Sequence, residues 1–168
     1  MDPVTGFSAL SLPTARVLVL GSMPGAASLR AQQYYAHPRN SFWPIMARIA
    51  GFDAASPYGE RVHALTRAGF AVWDVLRSCV RSGSLDSAIQ AGTQVPNDFA
   101  SFFAEHPGIR VVCFNGAKAA TLFARHVTPT LPSTLELELL QLPSTSPANA
   151  GVSRAEKLRA WRAIGHVA

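Results

Sequence analysis

With 168 residues, the chain is long enough for a single domain with a substantial core, predicted over residues 1–168, and too short for two. Apolar residues make up 48% and charged residues 15%, which excludes large-scale disorder, and no apolar run reaches the roughly 20 residues of a membrane span. The formal net charge is +5, and all the positively charged Lys and Arg side chains are arginines except for Lys118 and Lys157. This charge suits a polyanionic partner without establishing one.

The chain alternates short apolar runs, typical of buried parallel strands, with stretches in which apolar residues recur at helical spacing. Gly51 and Gly69 indicate two helix ends, and Ser56-Pro57 and Ser153-Arg154-Ala155-Glu156 indicate two helix starts. The predicted elements in chain order are a strand over 16–20, helices over 42–51 and 56–68, a strand over 70–76, a short helix over 85–91, a helix from 96 through 103, a strand over 109–114, a helix to 125, a strand over 135–142 and a helix from 153 through 161.

This alternation of strands and helices predicts an α/β fold with a parallel sheet covered by helices on both faces. The strand over 135–142 alternates leucine with glutamate before it becomes fully apolar, so we expect it to lie partly at an edge. In open α/β sheets, ligands bind beyond the carboxyl ends of the strands. The segments that follow the predicted strands are therefore the first places to look for a site.

Two of these segments carry nucleotide-binding chemistry. Gly21-Ser22-Met23-Pro24-Gly25 lacks a dinucleotide fingerprint and a P-loop lysine, but the N–H groups of such a turn can hold an anion or a water. Tyr35, His37, Arg39 and Asn40 follow closely, and such groups can stack on, hydrogen-bond to and neutralise a nucleotide. Asn40 also has a simpler interpretation as the N-cap of the helix that follows.

Three further positions are open to a structural and a functional interpretation. Asn115 lies where a strand meets a helix, so capping alone could explain it, whereas Asp74 at the end of its strand faces the ligand edge. The segment Leu142–Asn149 is either a Pro/Ser loop or a phosphate-binding loop beside the start of a cationic helix.

The cysteines and histidines indicate the redox compartment of the protein and whether a metal site is expected. Cys79 and Cys113 lie in separate apolar contexts, which is typical of reduced core thiols in a cytosolic protein. The N-terminus lacks a basic region followed by an apolar stretch, so we expect no secretion signal and a cytoplasmic location. The five histidines and two cysteines show no metal-ligand spacing, so neither a metal nor an iron–sulfur cluster is predicted.

Three short motifs, in this order and spacing, resemble the uracil-DNA glycosylase superfamily over nearly the whole chain. The resemblance is greatest to the hypoxanthine (deoxyinosine) DNA glycosylases, with the mismatch-specific uracil-DNA glycosylases next. It implies a three-layer α/β/α sandwich with a four-stranded parallel sheet, in agreement with the fold class predicted from the strand and helix pattern. The motifs are Gly21-Ser22-Met23-Pro24-Gly25, Ala36-His37-Pro38-Arg39-Asn40-Ser41-Phe42-Trp43 and Leu142-Pro143-Ser144-Thr145-Ser146.

Two departures from the superfamily pattern bear on the chemistry. Met23 stands where the mismatch-specific relatives have an asparagine that directs the hydrolytic water, and methionine forms no strong hydrogen bond. In the hypoxanthine-type members, the asparagine of the His-Pro-Arg-Asn motif is tied to catalysis, and Asn40 occupies that position. Leu142 stands where many members have a histidine that stabilises the departing uracil anion, which argues against efficient uracil excision.

The resemblance implies a monofunctional DNA glycosylase that hydrolyses the N-glycosidic bond of deaminated bases, hypoxanthine first, in double-stranded DNA. No cofactor, membrane contact or obligate protein partner is expected. The alternatives are a uracil or mismatch-specific glycosylase and a non-catalytic nucleic-acid-binding member of the fold. Asn40 is the expected catalytic residue, Tyr35 is expected to stack on the flipped base, and contact with the leaving base is open among His37, Asp74 and Asn115. The expected DNA contacts are Gly21, Ser22, Pro24, Gly25, Arg39, Ser144, Thr145, Ser146 and Asn149.

Overall fold

The computed structural model describes residues 1–166, which form a four-stranded parallel sheet, a small antiparallel sheet and six α-helices. The strands are β1 (Val4–Thr5), β2 (Val17–Gly21), β3 (Phe70–Asp74), β4 (Leu76–Cys79), β5 (Val95–Pro96), β6 (Val111–Asn115) and β7 (Glu138–Leu142). The helices are α1 (Ala26–Ala31), α2 (Phe42–Ala50), α3 (Tyr58–Arg67), α4 (Phe99–Glu105), α5 (Ala117–His126) and α6 (Arg154–Trp161).

The main sheet has the strand order β3-β2-β6-β7, and its neighbouring strands are all parallel. The two central strands, β2 and β6, are buried along their whole length, whereas β7 is partly exposed, so the predicted edge position is confirmed. Gly21 pairs with Asp74, and Asn115 pairs with Leu142. This register brings the carboxyl ends of all four strands to one edge of the sheet.

Successive side chains of a strand point to opposite faces of the sheet, and the core divides accordingly. Leu18 and Leu20 of β2 pack in a cluster with α4 and α5, whereas Val17 and Val19 pack with α2, α3 and α6. Phe123 and Trp161 are among the largest fully buried side chains of the two clusters. The predicted three-layer α/β/α sandwich is therefore confirmed.

The predicted strand over 70–76 is divided in the structure. β3 ends at Asp74, and the chain then enters β4, which lies between β1 and β5 in the small antiparallel sheet. The N–H groups of Val75 and Leu76 donate to the carbonyls of Gly21 and Ser22, so the turn between the strands is bonded to the end of β2. An apolar run alone does not reveal such a change of sheet, because β-branched and aromatic residues suit both.

Local signals for helix ends were correct in most places. Ser153 accepts a hydrogen bond from the N–H of Glu156 at the start of α6, and Asp98 caps α4 in the same way. Gly51 ends α2 in the left-handed conformation, with φ of 78°. The predicted Ser56 cap is wrong, because α3 begins one residue later, with Pro57 in the N-cap position and no side-chain cap.

Two predictions for short elements were also wrong. The predicted helix over 85–91 is replaced by two 3₁₀ turns, Asp86–Ala88 and Ala91–Thr93, in a segment where Arg81 pairs with Ile89 in an antiparallel bridge. Helix α1 was not predicted; it has six residues and ends at Gln32, whose φ is 55°. Within residues 1–166, no helix combines the length and apolarity required to cross a membrane.

Candidate active-site cleft

A cleft of about 850 Å³ opens at the carboxyl edge of the main sheet. Its wall is formed by the segments that follow β2, β3, β6 and β7, as the parallel register requires. Of the residues predicted for the site, the exposed Arg39 does not line the cleft. The predicted residues that do line it are Gly21, Ser22, Pro24, Gly25, Tyr35, His37, Asn40, Asp74, Asn115, Ser144, Thr145, Ser146 and Asn149.

Gly21, Asp74 and Tyr35 meet closely on one wall of the cleft. A Cβ atom on Gly21 would lie 2.5 Å from Oδ1 of Asp74 and 3.1 Å from the Tyr35 hydroxyl, so a larger residue would displace one of them. Asp74 is only 4% exposed, and its Oδ2 has no hydrogen-bond partner within residues 1–166. The Tyr35 hydroxyl is likewise buried and makes no hydrogen bond of normal geometry in that range, although the Asn115 side chain lies close enough to lower the pKa of Tyr35. Because buried polar groups are normally satisfied, these two are suited to a bound ligand.

Burial controls the ionisation of this pair. The pKa of the Asp74 carboxyl is raised to about 7, chiefly by burial and then by the Asp86 carboxylate, while the Arg81 guanidinium opposes the shift. The pKa of Tyr35 is raised well above its ordinary value, chiefly by burial and then by the charge of Asp74. Near neutral pH, the cleft therefore holds a neutral phenol beside a carboxyl group that is close to half protonated.

Tyr35 adopts an unusual backbone conformation. Its φ is 54°, in the left-handed region that bulky residues rarely occupy. One face of its ring packs against Phe42, with 4.1 Å between ring centroids and 30° between ring planes. This packing fixes the ring at the wall of the cleft, where an aromatic side chain can stack on a planar ligand.

The Asn40 side chain lines the cleft and is held at the start of α2. Its Oδ1 accepts a hydrogen bond of 2.9 Å from the N–H of Phe42, the first residue of the helix. The capping interpretation is thus partly right, although Ser41 occupies the N-cap position. An amide oxygen has two lone pairs and the amide nitrogen two protons, so this one bond leaves capacity for a water molecule.

His37 belongs to the same tight turn. Its Nδ1 accepts from the N–H of Arg39 at 3.1 Å, and its carbonyl accepts from the N–H of Asn40 at 2.9 Å. A neutral imidazole whose Nδ1 accepts carries its proton on Nε2. His37 therefore has one donor nitrogen that this turn does not use, on a ring that lines the cleft.

Thr145 links three of the loops around the cleft. Its hydroxyl accepts from Nδ2 of Asn115 at 2.9 Å, and its N–H donates to Oδ1 of Asn115 at 2.8 Å. The carbonyl of Thr145 accepts from the N–H of Ser41 at 3.0 Å. Thr145 is fully buried, which indicates a role in positioning the segments around the cleft rather than a direct contact with DNA.

The same bonds revise the interpretation of Asn115. Gly116, with φ of 98°, occupies the N-cap position of α5, so Asn115 does not cap that helix. Thr145 uses one N–H donor and one acceptor lone pair of the Asn115 side chain. The other N–H and the other lone pair could bind a base, but Asn115 is only 8% exposed. Asn115 therefore serves first to connect β6 with the loop after β7.

The loop after β7 is ordered by its own polar side chains. Ser144 and Ser146 each accept a hydrogen bond from the N–H two residues later, and Nδ2 of Asn149 donates to the carbonyl of Ser144. Lys157, which is 4% exposed, donates to the carbonyl of Ser146 at 3.3 Å. Burial lowers the pKa of this lysine, and the nearby Arg154 lowers it further. The loop is thus a preformed wall beside the start of α6.

The segment Ser84–Ser87 forms a wall of the cleft that sequence reasoning missed. The hydroxyl of Ser22 donates to the carboxylate of Asp86, which fastens this segment to the turn after β2. A polar Ser/Gly stretch after an apolar run was the signal in the sequence, but it did not indicate that the chain returns to the cleft. Met23, by contrast, is 6% exposed and packs in the core.

Residues 1–166 contain no group of three or more His, Cys, Asp or Glu side chains arranged to hold a metal ion.

Comparisons with known proteins agree with this architecture. The family model of the Uracil DNA glycosylase superfamily matches residues 7–165. A hypoxanthine DNA glycosylase of Methanosarcina acetivorans is 34% identical over 160 residues, which cover 95% of this chain and 96% of that protein. A second, from Methanosarcina barkeri, is 36% identical over 115 residues, which cover 68% and 72% respectively.

The fold comparison leads to the same family. A solution NMR structure of a Methanosarcina acetivorans protein superposes with a TM-score of 0.83 at 31% identity, and the match covers 99% of each chain. The predicted family and the predicted enzyme class are confirmed, and DNA is accordingly the substrate. This chain belongs to the uracil DNA glycosylase superfamily and is a DNA glycosylase.

Proposed function

We propose that this protein is a monofunctional glycosylase that removes deaminated bases, hypoxanthine first, from double-stranded DNA. The observation that carries the proposal is the Asn40 carboxamide, which lines the cleft with its oxygen already oriented by the N–H of Phe42. Relatives at 34% and 36% identity that are hypoxanthine DNA glycosylases support the choice of base. Uracil remains the second candidate base, because the superfamily whose model matches the chain is named after uracil DNA glycosylase.

The proposed reaction is hydrolysis at the anomeric carbon of the flipped nucleotide. The bond between C1′ and the base nitrogen breaks, a water oxygen bonds to C1′, and the water's proton leaves with solvent or the base. Because positive charge develops on the sugar, a weak nucleophile suffices, and a neutral amide can position it. No lysine lies in the first two motifs or in the segment Leu142–Asn149, so we expect no Schiff base and no strand cleavage.

Asp74 is the group that we assign to the edge of the base. A protonated carboxyl presents a donor and an acceptor side by side, which matches the adjacent N1–H and O6 of hypoxanthine. Burial keeps a large share of this carboxyl protonated near pH 7, and its Oδ2 has no hydrogen-bond partner within residues 1–166. Uracil has a similar N–H and C=O edge, so this contact alone does not separate the two bases. Asn115 and His37 remain candidates for additional base contacts.

The remaining contacts are assigned to DNA strands around the flipped nucleotide. The turn Gly21–Gly25 and the residues Ser144, Ser146 and Asn149 line the cleft and offer N–H and hydroxyl groups to phosphates. Arg39 is exposed outside the cleft and suits a neighbouring phosphate. We further propose a cytoplasmic enzyme that is a single domain and acts without a cofactor or an obligate protein partner.

The proposed function is tested with duplexes that carry one hypoxanthine, one uracil or only normal bases, followed by alkaline cleavage at abasic sites. We expect abasic product from hypoxanthine at a rate well above that from uracil, and none from the normal duplex. Equal or greater excision of uracil would favour the second candidate. Strand cleavage before alkali would contradict the monofunctional assignment.

Replacing Tyr35 with Ala should weaken binding to a hypoxanthine duplex more than binding to a normal duplex. Loss of a base–aromatic stack is worth roughly 1–3 kcal/mol, so we expect a loss of about tenfold or more on the lesion duplex. Tyr35→Phe keeps the ring and is the matched control, since it removes only the buried hydroxyl. Equal losses on both duplexes for Tyr35→Ala would show that the ring does not stack on the extruded base.

A further inference from the structure

Arg81 is a charged side chain that lies buried behind the cleft. Only 4% of it is exposed, and it is not among the residues that line the cleft. Its Nη2 donates to the carbonyl of Pro24, in the turn after β2. Its Nε and Nη1 are buried and have no hydrogen-bond partner within residues 1–166. Burial of a cation is unfavourable unless the cation is paired, so an arginine held in this way requires a functional explanation.

The backbone on which this guanidinium stands is anchored at several points. Arg81 forms an antiparallel bridge with Ile89. The N–H of Val80 donates to the hydroxyl of Thr93 at 2.8 Å, and the carbonyl of Val80 accepts from the N–H of Gln90 at 2.9 Å. The positive charge of Arg81 therefore has a fixed position behind the turn, in contrast to that of a surface arginine.

The turn that Arg81 holds is packed against Asp74. Gly21 begins this turn, and a Cβ atom on it would lie 2.5 Å from Oδ1 of Asp74. The pKa of Asp74 is raised first by burial and then by the Asp86 carboxylate, and the Arg81 guanidinium lowers it. Arg81 is thus connected to Asp74 both through the backbone of the turn and through its charge.

Tyr34 and Tyr35 are also within electrostatic range of Asp74. Burial and, next, the charge of Asp74 raise the pKa of both phenols well above its ordinary value, so both stay neutral up to pH 9. Among residues 1–166, the charged groups that act on the Asp74 carboxyl are therefore Asp86 at the cleft wall and Arg81 behind it.

We propose that Arg81 is a positioning residue of the excision reaction: it fixes the turn after β2 beside Asp74 and supplies the positive charge that balances the Asp86 carboxylate there. This assignment rests on the proposed function, in which Asp74 donates a hydrogen bond to the base edge. Negative charge develops on the base as its bond to C1′ breaks, and a more acidic carboxyl stabilises that charge better. Arg81 therefore favours bond breaking but narrows the pH range in which the carboxyl is protonated.

The test measures the ionisation of Asp74 and the excision rate separately. Arg81→Met and Arg81→Gln both remove the charge, and Gln keeps an N–H donor at this position. In an NMR titration of the side-chain carboxyl carbons of the free protein, both should move the Asp74 midpoint to higher pH, because loss of a cation disfavours the carboxylate. The Asp74 signal is identified by its absence from Asp74→Asn.

The same two variants should change single-turnover excision of hypoxanthine in opposite directions at low and high pH. At pH 6 we expect each rate to be about threefold below that of the wild type, because the carboxyl is less acidic. The ratio of variant to wild-type rates should then rise about threefold or more by pH 9, where more of the variant's Asp74 is still protonated.

Arg77→Met is the matched control, because Arg77 is exposed on β4 and does not line the cleft. It should change neither readout, and Arg81→Lys, which keeps the charge, should retain the wild-type midpoint. An Asp74 midpoint that stays in place in both neutral variants overturns the assignment, and so does a loss of rate that is equal at every pH. If the wild-type protein releases no hypoxanthine, the proposed function fails and the positioning role fails with it, whereas the NMR titration still decides whether Arg81 sets the ionisation of Asp74.

Discussion

Replacing Asn40 with Ala is expected to lower the single-turnover rate of hypoxanthine excision by a factor of about 100 or more. The magnitude is that of removing one positioned hydrogen-bonding group from a transition state that develops charge. Asn40 has its oxygen held at 2.9 Å from the N–H of Phe42, so its orientation is set before DNA binds. Asn40→Asp keeps an oxygen acceptor for both the helix and the water, and should retain more activity than Asn40→Ala.

The control for Asn40→Ala must separate catalysis from helix capping. Loss of the bond to Phe42 should cost about 1 kcal/mol of folding free energy, as loss of a cap usually does. Asp98 caps α4 through the N–H of Ser101 and does not line the cleft. Asp98→Ala should therefore destabilise the protein by a similar amount in urea unfolding while leaving excision unchanged. An unchanged rate for Asn40→Ala would remove this amide from the mechanism.

The architecture was largely predictable because its signals are local. β2 is short and continuously apolar, and it was predicted within one residue because a strand buried on both faces needs no polar alternation. The cap at Ser153 was correct because the bond to Glu156 is made within one turn. The split between β3 and β4 depends on bonds to Gly21 and Ser22, which are distant in sequence, so it was not predicted.

The membership of the cleft was also predictable, because residues that follow parallel strands converge at one edge. The roles of the individual residues in the cleft were harder to predict. Thr145 looks like a phosphate-binding hydroxyl in the sequence, yet its partners are Asn115 at the end of β6 and Ser41 before α2. The segment Ser84–Ser87 overlaps a predicted helix, yet it lies in the wall of the cleft, where it is bonded to Ser22 and to Ala26 at the start of α1. Such pairings between loops leave no trace in periodicity or spacing.

The Asp74 carboxyl is unusual in that its assignment can be tested by pH alone. Its ordinary pKa of 3.8 is raised to about 7 in the folded protein by burial. The unfolded chain releases this proton near pH 4, so the folded state binds more protons between pH 4 and 7. Folding stability is therefore lost as pH rises through that window, up to about 4 kcal/mol, and the loss is constant above it.

Replacing Asp74 with Asn should remove both pH effects at once. If the neutral carboxyl binds the base edge, wild-type excision should fall about tenfold from pH 6 to pH 8, because the protonated fraction of a carboxyl with a pKa of about 7 falls from about 0.9 to about 0.1 over that range. The carboxamide of the variant would keep a donor and an acceptor at every pH, so Asp74→Asn should retain excision and flatten this alkaline limb. The variant should also gain stability over the wild type on going from pH 4 to pH 8 in urea unfolding.

Two further variants identify the residue whose ionisation causes the alkaline limb. Asp86→Asn removes the nearby carboxylate that raises the pKa of Asp74, so the alkaline limb should shift to lower pH without disappearing. Asp74→Ala lacks the donor and the acceptor, and should lose excision at all pH values while still gaining stability at pH 8. If Asp74→Asn keeps the wild-type alkaline limb, the titrating group lies elsewhere, and the base edge is bound by another residue of the cleft. A loss of excision in Asp74→Asn that grows as pH rises would instead mean that the carboxylate form is the one that acts.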